Sequence, residues 1–232
     1  MKKTTYKLNN SKAKWKIYAI PGLGFDYRIF EKLRLTNAEI CYCDWIEPLA
    51  SENIVDYATR FAREMITDQN VVLMGQSFGG ILAQEIAKIK EINHLILVST
   101  VQSNGEMPFG FKNLARYNLY KLITRQSILT TFPFWQKTYG YISEEDQNLF
   151  KSMVVKNSNN YLHWAINQLG SWKGIITQPH QSVLRVHGDS DKTFPLKQME
   201  KIDYVIKAGG HFAVYQNHEV VSNMINKELA NW

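Results

Sequence analysis

The chain has 232 residues, of which 45% are hydrophobic and 21% charged, a composition ordinary for one large globular domain or a domain with an inserted subdomain. No run of about 18 apolar residues occurs, so the sequence predicts no membrane-spanning helix. The formal net charge is +6, but the basic residues are scattered and form no zinc-finger or RNA-binding pattern, which argues against a nucleic-acid-binding protein.

The first residues contain lysines but no apolar segment behind them, so the sequence predicts no secretory signal. The two cysteines, Cys41 and Cys43, lie two residues apart in a predicted strand. A disulfide between such positions would be strained, and two thiols alone do not make a metal site. We therefore expect buried, reduced thiols in a cytoplasmic protein.

Apolar runs typical of buried strands alternate with helical patterns along most of the chain. Strands are predicted over residues 14–20, 38–45, 70–75, 92–100, 182–188 and 203–210, and helices near 27–33, 51–66 and 79–89. Ser51 is the predicted N-cap of the second helix. Continuous Val, Ile and Leu strands that alternate with helices predict an α/β fold, in which helices cover both faces of a mostly parallel sheet.

Residues 101–180 differ from the rest, because they contain helical patterns, many aromatic residues and no clear strand. We expect a helical insertion folded over the sheet, which leaves residues 1–100 and 181–232 as the core. Binding pockets are mostly apolar, and the candidate pocket residues in the insertion are Phe134, Trp135 and Trp164. The alternative is that these aromatic residues form the core of the insertion itself.

One serine lies between glycines directly after the third predicted strand. The segment Gly75-Gln76-Ser77-Phe78-Gly79 matches G-x-S-x-G and is followed by a predicted helix. A tight turn at Ser77 would project its hydroxyl above the carboxyl end of the sheet, towards the amides that begin the helix. On this motif alone, a purely structural glycine-rich turn remains open.

A serine hydroxyl is a poor nucleophile at neutral pH and needs a neighbouring base. Among six histidines, His211 is the best placed, because Gly209 and Gly210 precede it at the end of the last predicted strand. Active sites of open parallel sheets lie at that carboxyl edge. Asp189 and Asp191 follow the fifth predicted strand, and position alone allows either of them to orient the histidine.

These motifs jointly resemble the α/β-hydrolase family, whose triad runs in the order serine, acid, histidine. Family members often have His-Gly, two residues and then the catalytic Asp, with a Pro further on. Residues 187–191 read His-Gly-Asp-Ser-Asp, and Pro195 follows. The resemblance therefore implies Ser77, Asp191 and His211 as the catalytic residues, with Asp189 as a turn residue.

The resemblance also implies an oxyanion hole made by two backbone amides. One amide belongs to Phe78, after the nucleophile, and the other belongs by position to Leu23. Family members commonly have His-Gly before that second donor, whereas this chain has Pro21-Gly22. Residues 101–180 would correspond to the helical cap of the family, and the chemistry requires no metal or organic cofactor.

The family resemblance implies a serine hydrolase that cleaves a small or medium carboxylic ester or thioester through an acyl-serine intermediate. Two alternatives remain open at this point. One is a lyase or C–C bond hydrolase that uses the same triad, and the other is a receptor-like protein that binds a ligand with little turnover. In each case the expected partner is a small molecule rather than a nucleic acid or a membrane, and the sequence predicts neither its identity nor the oligomeric state.

Overall fold

The structure is a computed structural model that describes residues 6–7, 13–134, 143–174 and 182–232. Its strands form one seven-stranded sheet with the order β1-β3-β2-β4-β5-β6-β7. The strands are β1 Tyr6–Lys7, β2 Trp15–Ile20, β3 Ala38–Tyr42, β4 Val72–Gln76, β5 His94–Val98, β6 Ser182–Gly188 and β7 Tyr204–Ile206.

Strands β2 to β7 are all parallel, and β1 pairs antiparallel with β3 at one edge. The predicted α/β fold with a mostly parallel sheet is confirmed. The short antiparallel edge strand is an addition that the sequence did not predict. All five residues of β4 are buried, as expected for a central strand covered on both faces.

Eight α-helices lie in the described part of the chain. They are α1 Ile54–Met65, α2 Phe78–Ile89, α3 Phe109–Arg116, α4 Arg125–Thr131, α5 Glu144–Val155, α6 Asn159–Ser171, α7 Ala213–Gln216 and α8 His218–Asn231. Short 3-10 helices cover Tyr27–Phe30, Leu119–Leu122, Phe132–Phe134 and Leu196–Gln198. Across the described ranges, none of these helices has the length and apolar character needed to cross a bilayer.

Helix α1 begins two residues later than predicted. Its N-cap is Asn53 rather than Ser51, because the Asn53 side chain accepts hydrogen bonds from the amides of Val55 and Asp56. Ser51 lies in the preceding turn with a positive φ of 61°. The predicted helix near residues 27–33 is a 3-10 helix capped by Asp26.

Two hydrophobic clusters lie on the two faces of the sheet. Along β2, Tyr18 and Ile20 belong to one cluster, whereas Ile17 and Ala19 belong to the other. This alternation follows from the two-residue period of a strand. Helices α1 and α2 pack on the first face, and α8 packs on the second.

The helices between β5 and β6 contribute to both clusters. Leu162 and Trp164 from α6 join the cluster that holds α1 and α2, and Phe150 and Met153 from α5 join the other. The described parts of residues 101–180 are mainly helical, with one isolated bridge between Ser103 and Gly174. The division of the chain into a core and a cap domain stays a prediction.

Candidate active site

Ser77 occupies the turn between β4 and α2 with a positive φ of 53°. A non-glycine residue in that region is strained by about 1–3 kcal/mol and persists only where its surroundings hold it. The Ser77 amide donates to the carbonyl of Val98 at 3.1 Å, and the Thr100 hydroxyl donates to the Ser77 carbonyl at 2.6 Å. Residues at and just after the end of β5 therefore hold the strained Ser77 backbone through both its N–H and its C=O.

The glycines around Ser77 are required by close backbone approaches. A Cβ atom on Gly75 would lie 2.4 Å from the Cα of Gly80, and one on Gly79 would lie 2.2 Å from the carbonyl oxygen of Ile20. Both separations are too short for non-bonded atoms. The G-x-S-x-G pattern thus allows β4, α2 and the end of β2 to meet directly beneath the serine.

The structure brings together Ser77, His211 and Asp191, which come from three separate segments of the chain. The Oγ of Ser77 lies 2.9 Å from Nε2 of His211, and Nδ1 of His211 lies 2.9 Å from Oδ2 of Asp191. All three side chains are buried. An ionised carboxylate only accepts hydrogen bonds, so Nδ1 carries the proton and Nε2 can accept a hydrogen bond from the serine.

The surroundings of Asp191 favour its ionised form. Its second oxygen, Oδ1, accepts hydrogen bonds from the amides of Thr193 and Phe194 at 2.8 and 2.9 Å. Burial alone would raise the pKa of the Asp191 carboxyl, but the nearby His211 and the hydrogen bonds from His211 and Phe194 outweigh burial and lower it. The carboxylate is therefore charged where it contacts the imidazole.

The other residues of the His-Gly-Asp-Ser-Asp segment have different environments. Asp189 is exposed, and its carboxylate accepts a hydrogen bond from the neighbouring Ser190 hydroxyl. His187 is buried, and its Nε2 donates to the carbonyl of Phe194 at 2.7 Å. Burial lowers the pKa of His187, so a neutral imidazole supports the loop that carries Asp191.

The segment from Gly22 to Phe25 forms a tight turn beside the serine. The Phe25 amide donates to the carbonyl of Gly22 at 3.1 Å, and Gly24 has a φ of +82°, the combination found in a type II turn. A Cβ on Gly22 would lie 3.2 Å from the Cβ of Ser77, which shows how close the turn approaches. Leu23, the predicted oxyanion donor, is the second residue of this turn.

Phe78, the other predicted donor, is the first residue of α2. The first amides of a helix have no acceptor within that helix, so this N–H can bond to a group outside it. Both predicted donors thus adjoin Ser77, one in the turn after β2 and one at the start of α2. Their catalytic role stays a prediction.

Gln76 is a site residue that the sequence analysis did not single out. Its side chain is fully buried at the end of β4, and Nε2 donates to the main-chain carbonyl of His211 at 3.2 Å. This bond joins the histidine loop to the strand that carries the serine. A polar residue inside a buried strand is the signal that could have identified it, because buried polar groups need partners.

A cavity of about 180 Å³ opens onto Ser77 and His211. Within the part of the chain that the structure describes, its other lining residues are mainly aliphatic or aromatic and include no charged side chain: Leu23, Gly24, Phe25, Gln76, Phe111, Leu114, Ile123, Ile128, Val154, Leu162, Ile166, Leu169, Thr193, Phe194 and Phe212. Helices α3 to α6 supply much of this wall. Across the described ranges, no group of three or more His, Cys, Asp or Glu side chains is arranged to hold a metal ion.

The predicted pocket aromatics do not line this cavity where the structure describes them. The Phe134 side chain is 64% exposed. Trp164 is buried against Tyr57, with ring centroids 4.3 Å apart, and its indole N–H donates to the carbonyl of Glu52. Trp164 is therefore a core residue, and Trp135 lies outside the described residues.

The sequence model of the α/β hydrolase fold family matches residues 44–218. A comparison with curated proteins finds no match. The chain is similar to a solved esterase from Thermogutta terrifontis, with a TM-score of 0.77 and 15% identity over 98% of this chain and 93% of that one. It is also similar to an esterase from Exiguobacterium antarcticum, with a TM-score of 0.76 and 17% identity over 97% and 94%. An N-acyl homoserine lactonase gives a TM-score of 0.71 and 13% identity over 97% and 96%.

Proposed function

The chain belongs to the α/β-hydrolase family, and from that premise we propose its function. The proposed function is hydrolysis of a small carboxylic ester or thioester through an acyl-serine intermediate. The observation that carries it is the hydrogen-bonded series from Ser77 through His211 to Asp191, which meets an apolar cavity. We also propose that the protein is cytoplasmic and that its reaction requires no cofactor.

The geometry supports a two-step reaction. His211 Nε2 takes the Ser77 proton as Oγ attacks the carbonyl carbon, and Asp191 stabilises the imidazolium that forms. The imidazolium then donates its proton to the departing alcohol or thiol, which leaves an acyl-serine. In the second step His211 activates a water molecule, which attacks the acyl group and releases the carboxylic acid and free Ser77.

The negative charge that develops on the carbonyl oxygen requires donors that are already in place. In the proposal these are the amides of Leu23 and Phe78, which adjoin the serine. Loss of one such donor typically raises the barrier by about 2.7–4 kcal/mol. Backbone amides serve this purpose whatever the side chain, so the Pro21 that replaces the usual His of the family leaves the donors intact.

The cavity supports a short, uncharged acyl group as the part of the substrate that binds beside Ser77. Its volume of about 180 Å³ is close to that of an apolar protein cavity of about 150 Å³ that holds benzene, and below the roughly 300 Å³ at which pockets for drug-sized ligands begin. A charged acyl chain would lose its hydration against this apolar wall, since the lining residues that the structure describes offer it no charged partner. The names of the similar structures, two esterases and a lactonase, support ester chemistry.

A series of p-nitrophenyl esters and matched acyl thioesters tests the proposal. The wild-type protein should hydrolyse acyl chains of about three to six carbons with the highest kcat/KM, because longer chains exceed the cavity. Ser77→Ala should not turn over any of them. Absence of Ser77-dependent turnover across the whole series would contradict the hydrolase assignment and would favour lyase or binding chemistry.

Acyl-chain selectivity should depend on the helices between β5 and β6. Ile166→Ala enlarges the cavity from α6, so we expect kcat/KM to shift towards longer acyl chains by about 1–3 kcal/mol relative to short ones. Ile86→Ala is the matched control, because Ile86 is also buried in a helix but does not line the cavity. Equal chain-length profiles for the two variants would show that selectivity arises elsewhere.

A further inference from the structure

We propose that Trp45 is a positioning residue that aims the amide of Leu23 at the substrate oxyanion. The proposal rests on the proposed function, because the amide matters to the reaction only if Ser77 attacks a carbonyl group. Trp45 lies in the loop after β3, and nothing in the sequence motifs pointed to it.

Trp45 contacts both sides of the predicted oxyanion hole. Its indole N–H donates a hydrogen bond of 3.1 Å to the carbonyl oxygen of Gly22. Its ring also stacks on Phe78, with centroids 5.3 Å apart and an interplanar angle of 27°. One side chain thus touches the peptide that contains the Leu23 amide and the residue that provides the second donor.

The bond to Gly22 determines the direction of the Leu23 N–H. The two groups belong to one planar trans peptide, in which the C=O and the N–H point in opposite directions. The Gly22 oxygen accepts from Trp45 on one lone pair and from the Phe25 amide on the other. With both lone pairs occupied, rotation of this peptide would break two hydrogen bonds, so the Leu23 N–H keeps a fixed direction.

The loop needs such a clamp because of its composition. Gly22 and Gly24 flank Leu23, and glycines allow a peptide plane to turn at little steric cost. Hydrogen bonds to the Gly22 oxygen also polarise the same amide, which strengthens its N–H as a donor. Trp45 therefore acts on both the direction and the strength of the proposed oxyanion contact.

Trp45 is itself held firmly by aromatic neighbours. Its ring centroid lies 5.4 Å from that of Tyr161, 6.2 Å from that of Phe61 and 6.4 Å from that of Tyr57. Tyr161 belongs to α6, and Tyr57 and Phe61 belong to α1. The packing of the Trp45 ring against α1 and α6 therefore holds its indole N–H in place.

Trp45→Phe tests the proposal, because it removes the indole N–H and keeps an aromatic ring against Phe78. Trp164→Phe is the matched control, since it also loses an indole bond to a main-chain carbonyl, that of Glu52, and also packs against Phe78. The indole N–H of Trp164 donates to Glu52, whereas the bond to the Gly22 carbonyl comes from Trp45. The measurements are kcat, KM and melting temperature, with the best p-nitrophenyl ester as substrate, and the Ki of a trifluoromethyl ketone with the same acyl chain.

We expect Trp45→Phe to lower kcat about 10-fold with KM within twofold of wild type, which is less than the 10²–10³-fold cost of removing an oxyanion donor outright. The Ki of the ketone should rise by a similar factor, because its adduct with Ser77 carries the oxyanion. Trp164→Phe should leave kcat and Ki near the wild-type values, whatever it does to the melting temperature.

Equal effects of the two substitutions on kcat and Ki would overturn the positioning role. If Trp45→Phe does not fold, a tryptophan analogue with sulfur in place of the indole N–H preserves the shape and removes the donor, and the same comparison applies. Wild-type protein without Ser77-dependent turnover would overturn the proposed function, and this inference with it. Turnover by the wild type with an unaffected Trp45→Phe would overturn this inference alone.

Discussion

Ester hydrolysis should fall by a factor on the order of 10⁴–10⁶ in the Ser77→Ala variant, while the fold is retained. The physical reason is that alanine removes the Ser77 Oγ, which lies 2.9 Å from His211 Nε2 and is the nucleophile of the proposed reaction. Removal of the nucleophile from a serine hydrolase costs about as much as removal of the whole triad. Alanine keeps the backbone constraints at residue 77, so the unfolding free energy should change little.

A fluorophosphonate probe provides the direct measurement, because it phosphonylates an activated serine and adds a defined mass to the intact protein. Wild-type protein should be labelled once, and Ser77→Ala should not be labelled. Ser99→Ala is a suitable control, since Ser99 is also buried and has a φ of 48° at the end of the adjacent strand β5. That variant should retain labelling. Equal labelling of wild type and Ser77→Ala would reject Ser77 as the nucleophile.

The strands and the glycine pattern were predictable because both depend on local sequence. Buried parallel strands require apolar runs, and Gly75 and Gly79 are needed wherever a strand and a helix meet this closely. The N-cap of α1 was placed wrongly at Ser51 because Ser51 and Asn53 both suit that role. Only the observed backbone shows that the Asn53 side-chain oxygen accepts hydrogen bonds from the first amides of the helix.

Contacts between distant segments could not be predicted in the same way. Trp164 contacts Tyr57, which is more than 100 residues away in the chain, and its helical spacing does not reveal whether it faces the core or the cavity. Gln76 bonds to the His211 carbonyl across 135 residues, and Trp45 bonds to Gly22 across 23. These contacts between distant residues depend on the order of the strands and the packing of the helices, which a local sequence motif does not predict.

The second large effect on activity is expected from substitution of one of the two carboxylates that follow β6. Asp191→Asn should reduce kcat by about 10⁴-fold, the size seen when the acid of a serine protease triad is changed to its amide. The Asn side chain presents an N–H to Nδ1 of His211 and so favours the tautomer with the proton on Nε2. That nitrogen could then no longer accept the Ser77 proton.

Asp189→Asn is the matched control, because Asp189 lies two residues away, carries the same charge and is exposed. We expect it to change kcat less than about threefold, as is usual for a surface substitution away from a buried network. Rate measurements on both variants with one short-chain ester decide between the carboxylates. A larger loss for Asp189→Asn would show that Asp189, not Asp191, orients His211.

Stability provides a second readout of Asp191 that does not depend on turnover. The pKa of Asp191 is lower in the folded protein than its ordinary value, so the charged carboxylate stabilises the fold above the unfolded pKa of about 3.9. This contribution should be complete at pH 7 and should decrease as the pH falls through the folded pKa. The difference in unfolding free energy between wild type and Asp191→Asn should therefore shrink in acid. An Asp191→Asn difference that does not vary with pH would mean that the contacts of the Asp191 carboxylate do not lower its pKa in the folded protein.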